Sequence, residues 1–312
     1  MYIGIDLGGT NIKAGVVDES GKILYKDARP TGAHRPADEI LKDMAELAMD
    51  TVKNAGLTLD DIKSVGVGSP GSVDAENGIL MYAGNINFEN VPVCEKITKY
   101  TGKPSYLGND ANVAALAEYY AQDKEMECFM AVTLGTGVGG GIVMNGKLFT
   151  GTNGVAAEIG HMVTHAGGRA CTCGRHGCWE AYASVSALIR QTKESLAEDN
   201  TSLMYEMVGG NLENVGGKTA FDAAKKGDRA AQKVVTNYIN NVSIGIVNLI
   251  NILQPDMIVI GGAISKEGDY LLNPIQEYCI HESFKQGKKR TELKIARLGN
   301  DAGLIGAAFL GK

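Results

Sequence analysis

Proline is scarce in this 312-residue sequence, at 7 residues, tryptophan occurs once, and aromatic residues make up only 6%. A Pro-rich linker is therefore excluded, and large aromatic side chains cannot dominate the core. Positive charge is not in excess either: 30 Lys and Arg stand against 36 Asp and Glu, a formal charge of −6. That balance argues against a nucleic-acid partner, because binding to a phosphate backbone draws on basic patches. No apolar run approaches the roughly 18 residues of a membrane span. The most apolar stretches, Ser243–Leu253 and Met257–Ile264, are broken by Asn248, Asn251 and Gly261-Gly262, so no membrane association is expected. The chain opens directly into the strand-like Tyr2–Asp6, which leaves no room for a signal peptide. Six Cys are too few for a disulfide framework at this length, and three of them fall between Cys171 and Cys178. A reducing, cytoplasmic setting follows.

What the sequence has in abundance is glycine. Its 41 residues are close to double the average share of about 7%, and no collagen-like period accounts for them. With 44% hydrophobic and 21% charged residues the composition is that of a globular protein. At about 100–200 residues per domain, the length suggests two domains.

Strand-like Tyr2–Asp6, Asn11–Val17 and Ile23–Arg29 are separated by the turn signals Leu7–Thr10 and Asp18–Gly21. Ala37–Asn54 has helical spacing at Ile40, Leu41, Met44, Leu47, Ala48 and Val52 and stops at Gly56. A buried strand over Ile62–Val67, a short helix over Val93–Tyr100 and a strand over Ser105–Leu107 follow. Asp110 is then placed to cap a helix running to Tyr120. A second unit starts at Cys128–Thr133. Asp6-Leu7-Gly8-Gly9-Thr10 aligns with Thr133-Leu134-Gly135-Thr136-Gly137, and Ala14 and Val16 then fall on Gly141 and Val143. Both copies read apolar strand, Gly/Thr turn, apolar strand. Such a duplication predicts an α/β fold of two similar lobes whose glycine turns meet at one cleft. The last third predicts helices at Thr219–Lys226 and Asp228–Leu253, strands at Met257–Gly262 and Glu292–Arg297, and a closing helix at Ala302–Leu310.

Three motifs carry chemistry. Asp6-Leu7-Gly8-Gly9-Thr10 ends a strand in a turn whose bare N–H groups suit an anion, with Thr10 adding a hydroxyl and Asp6 placed to hold Mg²⁺. It is not a Walker A loop, since no Gly-Lys-Ser/Thr follows. Together with Gly135-Thr136-Gly137 and Gly261-Gly262 it points to an ATP site. The second motif is Cys171-Thr-Cys173-Gly174-Arg-His-Gly177-Cys178-Trp179-Glu180, whose three Cys suit a Cys₃His zinc site with His161, His165 or His176 as fourth ligand. Glu158 and Glu180 bracket this loop, and carboxylates suit the hydroxyls of a neutral polyol. The third is Asn109-Asp110, a candidate pair for taking a proton from an attacking hydroxyl. Leu107-Gly-Asn-Asp-Ala111 recurs as Leu298-Gly-Asn-Asp-Ala302, so spacing does not choose between Asp110 and Asp301.

These residues resemble the ROK family of sugar kinases and sugar-responsive repressors over essentially the whole chain. The resemblance rests on Asp6–Thr10, Gly66–Gly71, Leu107–Asn112, Leu134–Gly141, Gly151–His161 and the Cys-rich run to Glu180. It implies an actin-like, hexokinase-like two-domain ATPase fold with a duplicated β-sheet core and an interdomain cleft. One lobe would span residues 1–116, joined by the C-terminal helix at 301–312, and the other residues 117–300. The implied activity is phosphorylation of a hexose by ATP with Mg²⁺, glucose first, with N-acetylmannosamine, fructose, mannose and allose as alternatives. The resemblance makes Asp110 the general base and places Asn109, Glu158, His161, Glu180, Gly71 and Asn85 at the sugar. It places Asp6, Gly8, Gly9, Thr10, Gly135, Thr136 and Gly262 at the nucleotide, and makes His161, Cys171, Cys173 and Cys178 the ligands of a structural zinc. It further implies a homo-oligomer, dimer or tetramer. Phe88 departs from the pattern, because members that phosphorylate glucose often carry Trp there. Repressors of the family place a helix-turn-helix before the core, and with Asp6 so close to Met1 none is expected here.

Overall fold

A computed structural model describes residues 1–122, 124–284 and 290–312. The chain forms two compact units. The first holds Met1–Glu127, Gly141–Ala157 and Arg297–Lys312, and the second holds Cys128–Gly140 and Glu158–Ala296.

In the first unit β1 (Tyr2–Leu7), β2 (Asn11–Val17) and β3 (Ile23–Pro30) form an antiparallel meander. β4 (Ser64–Ser69) and β8 (Ser105–Asn109) continue the sheet in parallel, giving the order β3-β2-β1-β4-β8. β5 (Ser72–Asp74), β6 (Ile79–Ala83) and β7 (Phe88–Val91) make a small antiparallel sheet of their own. Helix α1 (Ala37–Asn54) buries Ile40, Leu41, Met44, Leu47, Ala48 and Val52, the stripe its spacing predicts. Helices α2 (Val93–Thr101) and α3 (Asp110–Tyr120) follow. The buried strand lies two residues further along than the apolar run Ile62–Val67 suggests, because Ser64 and Ser69 are both buried within it.

The other five-stranded sheet comprises β9 (Cys128–Leu134), β10 (Val138–Met144), β11 (Lys147–Leu148), β12 (Met257–Gly261) and β13 (Glu292–Ile295), in the order β11-β10-β9-β12-β13. β12 runs parallel to both β9 and β13. Each sheet thus reads third, second, first, fourth and fifth strand of its own copy, the duplicated core that the aligned glycine turns predict. Around it lie α4 (Glu180–Ala183), α5 (Val185–Glu198), α6 (Leu203–Met207), α7 (Thr219–Lys225), α8 (Arg229–Leu253) and α9 (Asp269–Glu282). The pattern reading assigns neither α5 nor α9. Each buries only three or four residues, too few for a clear apolar stripe, and α9 carries Pro274 within it. Asp228 caps α8 by accepting the Ala231 N–H at 2.7 Å.

The closing helix, α10 (Ala302–Phe309), packs on the first sheet at backbone contact. A Cβ at Gly4 would stand 1.9 Å from the Leu304 carbonyl oxygen, and one at Gly66 only 1.7 Å from that of Ala307. On its other side, a Cβ at Gly306 would stand 1.6 Å from the Val113 carbonyl oxygen of α3. In the second unit Gly245 of α8 lies against the indole of Trp179, which is fully buried and donates Nε1–H to the Asn241 carbonyl at 2.8 Å. Part of the glycine excess therefore serves close packing of helices, in addition to strand-end turns.

Overfilling a contact with no slack forces backbone to move, at a typical cost of about 1–3 kcal/mol or more. Gly66→Ala is expected to destabilise the first unit by at least about 2 kcal/mol in urea unfolding. Gly216→Ala, where an added Cβ meets nothing within 4 Å, should shift stability by less than about 0.5 kcal/mol.

Candidate functional site

In the first unit the β1–β2 hairpin presents Asp6 and the Gly8-Gly9-Thr10 turn. Gly8 N–H donates to the Asn11 carbonyl at 3.0 Å and closes the turn. Buried Thr31 braces it twice, donating its hydroxyl to the Gly8 carbonyl at 2.6 Å and its N–H to the Thr10 carbonyl at 2.9 Å. Gly9 and Thr10 donate their N–H groups to no other described residue, so these two donors are available to an anion. Asn85 lies beside the turn, its Nδ2 only 3.3 Å from where a Cβ on Gly9 would be. Lys13 Nζ donates to Asp6 Oδ2 at 3.1 Å. Sequence reasoning passed over Lys13 and Thr31. The signal for Lys13 was a lone cation inside apolar β2, in the register position opposite Asp6.

Asn109 ends β8 and, contrary to the expectation for Asp110, is itself the cap of α3. Its Oδ1 accepts the N–H groups of Ala111 and Asn112 at 3.0 and 3.3 Å, while its Nδ2 donates to the Gly71 carbonyl at 2.9 Å. Asp110 is the first helical residue. Its Oδ1 accepts the N–H of Ala111 at 2.8 Å, and the positive end of the helix dipole favours a carboxylate there. Asp301, in the recurring motif, precedes α10 without capping it, and Lys26 Nζ grips both its carboxylate oxygens at 2.6 and 2.8 Å. Phe88 is buried in the first unit's core at 1% exposure, so any influence it has on a ligand is indirect.

In the second unit the Gly135-Thr136-Gly137 turn is closed by Gly135 N–H donating to the Gly137 carbonyl at 3.0 Å. Ser186 donates to the Thr136 carbonyl at 2.8 Å. Gly262, at φ +88°, backs onto the end of β9, where a Cβ would be 2.3 Å from the Leu134 carbonyl oxygen. The structure therefore brings the two glycine turns of this unit together. Glu180, at the start of α4, accepts the Val138 N–H on Oε2 at 3.0 Å. Its Oε1 lies 3.7 Å from Cys171 Sγ and 3.5 Å from Thr172 Oγ1. Glu158 precedes the short helical turn Ile159–His161, whose Gly160 packs against the Val138 carbonyl.

His161, Cys171, Cys173 and Cys178 each direct one donor atom to a common point, all four lying within 4.8 Å of one another. Cys173 and Cys178 sulfurs are 3.6 Å apart, and Cys171 Sγ is 3.7 Å from His161 Nδ1. Zinc–sulfur bonds of about 2.3 Å place tetrahedral donors about 3.8 Å apart, so both donor set and spacing fit. Of the three candidate histidines only His161 joins the cluster. His165 stacks on Tyr182 at a centroid distance of 3.9 Å, and the backbone of His176 bridges Ala170. With Nδ1 turned to the thiols, His161 keeps Nε2 for a different partner. Burial and the neighbouring thiols push Cys178 up to about 12, while the Arg175 N–H holds Cys173 below the usual thiol value. A cation at this point would reverse the first effect by stabilising the thiolate. Of the other cysteines Cys128 and Cys279 are buried, whereas Cys94 is only half-buried.

Comparison with known proteins agrees with these motifs. The glucokinase of Thermotoga maritima is 36% identical over 310 residues, covering 99% of this chain and 96% of that protein. A ROK family glucokinase from Streptomyces griseus, solved in complex with glucose and AMPPNP, has a TM-score of 0.79 at 33% identity, over 99% of this chain and 98% of its own. A ROK hexokinase from Thermus thermophilus has a TM-score of 0.80 at 32% identity, over 99% and 97%. The model of the ROK family matches residues 2–312, and the chain belongs to that family.

Proposed function

We propose that this protein is a glucokinase, transferring the terminal phosphoryl group of ATP to the 6-hydroxyl of D-glucose. The observation that carries this reading is the Cys₃His cluster set against Glu180, in a chain that is similar to glucokinases from end to end. Asp110 is assigned as general base. It takes the proton of the 6-hydroxyl as that oxygen attacks, from its place as the first residue of α3 beside Asn109. Asp301 instead holds Lys26 through both of its carboxylate oxygens.

Asn109 and Gly71, already joined by a hydrogen bond, are assigned to sugar hydroxyls together with Asn85, Glu158, His161 and Glu180. Carboxylates accept strong bonds from hydroxyls, and the hydrogen bonds that hold Asn109 and Glu180 in place limit the entropy lost on binding. Gly8, Gly9, Thr10, Gly135, Thr136 and Gly262 are assigned to the nucleotide, where bare backbone can approach phosphate. Asp6 and Thr10 supply hard oxygen donors that suit Mg²⁺, which contributes charge neutralisation when bound with ATP. Zinc held by His161, Cys171, Cys173 and Cys178 would cross-link the loop and orient His161 through Nδ1. A cytoplasmic homo-oligomer, dimer or tetramer, belongs to the same reading. Among the described residues no helix is long and apolar enough to cross a membrane.

The direct test is kcat/KM for glucose, N-acetylmannosamine, fructose, mannose and allose in a coupled ADP-release assay. Glucose should lead the panel, and preference for another hexose would reassign the substrate. Asp110→Asn is expected to lower kcat by about 10²–10⁴-fold while the glucose Kd stays within about threefold. Turnover near that of the parent protein would remove Asp110 as base. Cys173→Ser should reduce zinc from about one per chain to near zero by elemental analysis and raise the glucose KM, because His161 loses its anchor. Retained zinc would refute the ligand set.

A further inference from the structure

A turn that receives an anion must keep its carbonyl oxygens out of the site as well as its N–H groups in it, because a carbonyl dipole facing phosphate repels it. Gly8 and Gly9 let backbone come close, yet glycine sets little preference between the two orientations of a peptide. The turn is therefore held from outside. Thr31 directly follows β3 and is fully buried; its hydroxyl donates to the Gly8 carbonyl at 2.6 Å and its N–H to the Thr10 carbonyl at 2.9 Å. Thr31 is fixed in turn to α1, since Arg35 donates to the Thr31 carbonyl at 2.9 Å and to Asp43 Oδ2 at 2.6 Å. The duplicated turn is tied in the same manner by unrelated residues. Gly135, aligned with Gly8, has its carbonyl engaged by the Val185 N–H at 2.8 Å, and the Ser186 hydroxyl holds that of Thr136 at 2.8 Å.

We propose that Thr31 is a positioning residue for nucleotide binding, whose hydroxyl keeps the Gly8 carbonyl turned away from the phosphate so that the Gly9 and Thr10 N–H groups face it. The inference rests on the assignment of the Gly8–Thr10 turn to phosphate given above. Thr31 itself touches no nucleotide and acts through the turn. Gly8 and Gly9 are half-buried and Thr10 is exposed, so the open side of the turn is the side where an anion arrives. A Gly8 carbonyl that loses its buried donor gains a hydrogen bond only by rotating toward water, which lies on that same side. Donors already aimed at an anion bind it more tightly than donors that must reorient when it comes. The Arg35–Asp43 pair holds Thr31 at the depth from which its hydroxyl reaches Gly8, so α1 supports the site without entering it.

Calorimetric titration of the full chain with a non-hydrolysable ATP analogue in Mg²⁺, and separately with glucose, tests this without reference to turnover. Thr31→Val keeps the shape and removes the donor. It should weaken the analogue about fivefold or more and leave the glucose Kd within about twofold, with Thr31→Ser recovering most of the loss. A lower Tm with analogue binding unchanged, or equal weakening of analogue and glucose, would overturn the proposal and leave Thr31 a buried structural residue. Should Thr31→Val not fold, Arg35→Met takes its place, because it frees the Thr31 carbonyl. The analogue should then weaken about twofold or more with glucose binding unchanged, and unaltered analogue binding would overturn the proposal. If the parent protein binds the analogue but not glucose, the substrate reading falls, while the nucleotide titration and its serine rescue still decide for Thr31. If it binds no nucleotide, the turn's assignment to phosphate falls and the role of Thr31 with it.

Discussion

One carboxylate ties together the parts of the second unit that matter for chemistry. Glu180 opens α4, accepts the Val138 N–H at the mouth of the β9–β10 turn, and lies against the Cys171 thiol. The constraint is steric as well as polar, since a Cβ on Gly137 would stand 2.2 Å from Glu180 Oε2. A side chain at 137 would therefore push aside the Glu180 carboxylate that accepts the Val138 N–H. Through this contact a glycine turn, a metal-type loop and a candidate sugar ligand share one small region. Trp179 anchors that region from below, buried against Gly245 and bonded to the Asn241 carbonyl.

The first unit solves a comparable problem with backbone proximity. Bare glycines at 4, 66 and 306 let α10 touch both the sheet and α3, so the C-terminal segment is built into the N-terminal sheet. Glu118 of α3 reinforces this arrangement: it is buried and accepts the N–H groups of Arg297 and Leu298 at 3.0 and 2.8 Å. Two backbone donors satisfy a carboxylate that would otherwise be costly to bury. Helix α3, which carries Asp110 at its start, is thus held at its far end and along its side. A base acting within hydrogen-bond reach of a hydroxyl needs that rigidity.

The two copies of the sheet share strand order but differ in chemistry. The first hairpin holds Asp6 and Lys13, while the second is uncharged and takes its carboxylate from Glu180, far along the chain. Duplication of a backbone motif followed by divergence of its side chains gives two glycine turns with distinct electrostatics. One is equipped with an anion–cation pair, the other with a hydrogen-bonded carboxylate.

Periodicity made α1 legible to the residue, and aligned glycine turns exposed the duplicated core, because both signals are local and repeat in the chain. The Cys₃ run was legible for the same reason: three donors within eight residues need no knowledge of distant contacts. Helices α5 and α9 were not, since each buries too few apolar residues to stand out. Nor did spacing choose His161 among three histidines, separate Asp110 from Asp301, or show that Asn109 and not Asp110 caps α3. Each of these depends on a partner remote in sequence or on the chain's path: the thiols facing His161 Nδ1, Lys26 gripping Asp301, Gly71 receiving Asn109. The sequence by itself determined the α/β class, the strand-end turns and the donor atoms available. Tertiary structure alone decided which donors converge, because a side chain's partner is set by the packing of elements that the local pattern does not relate.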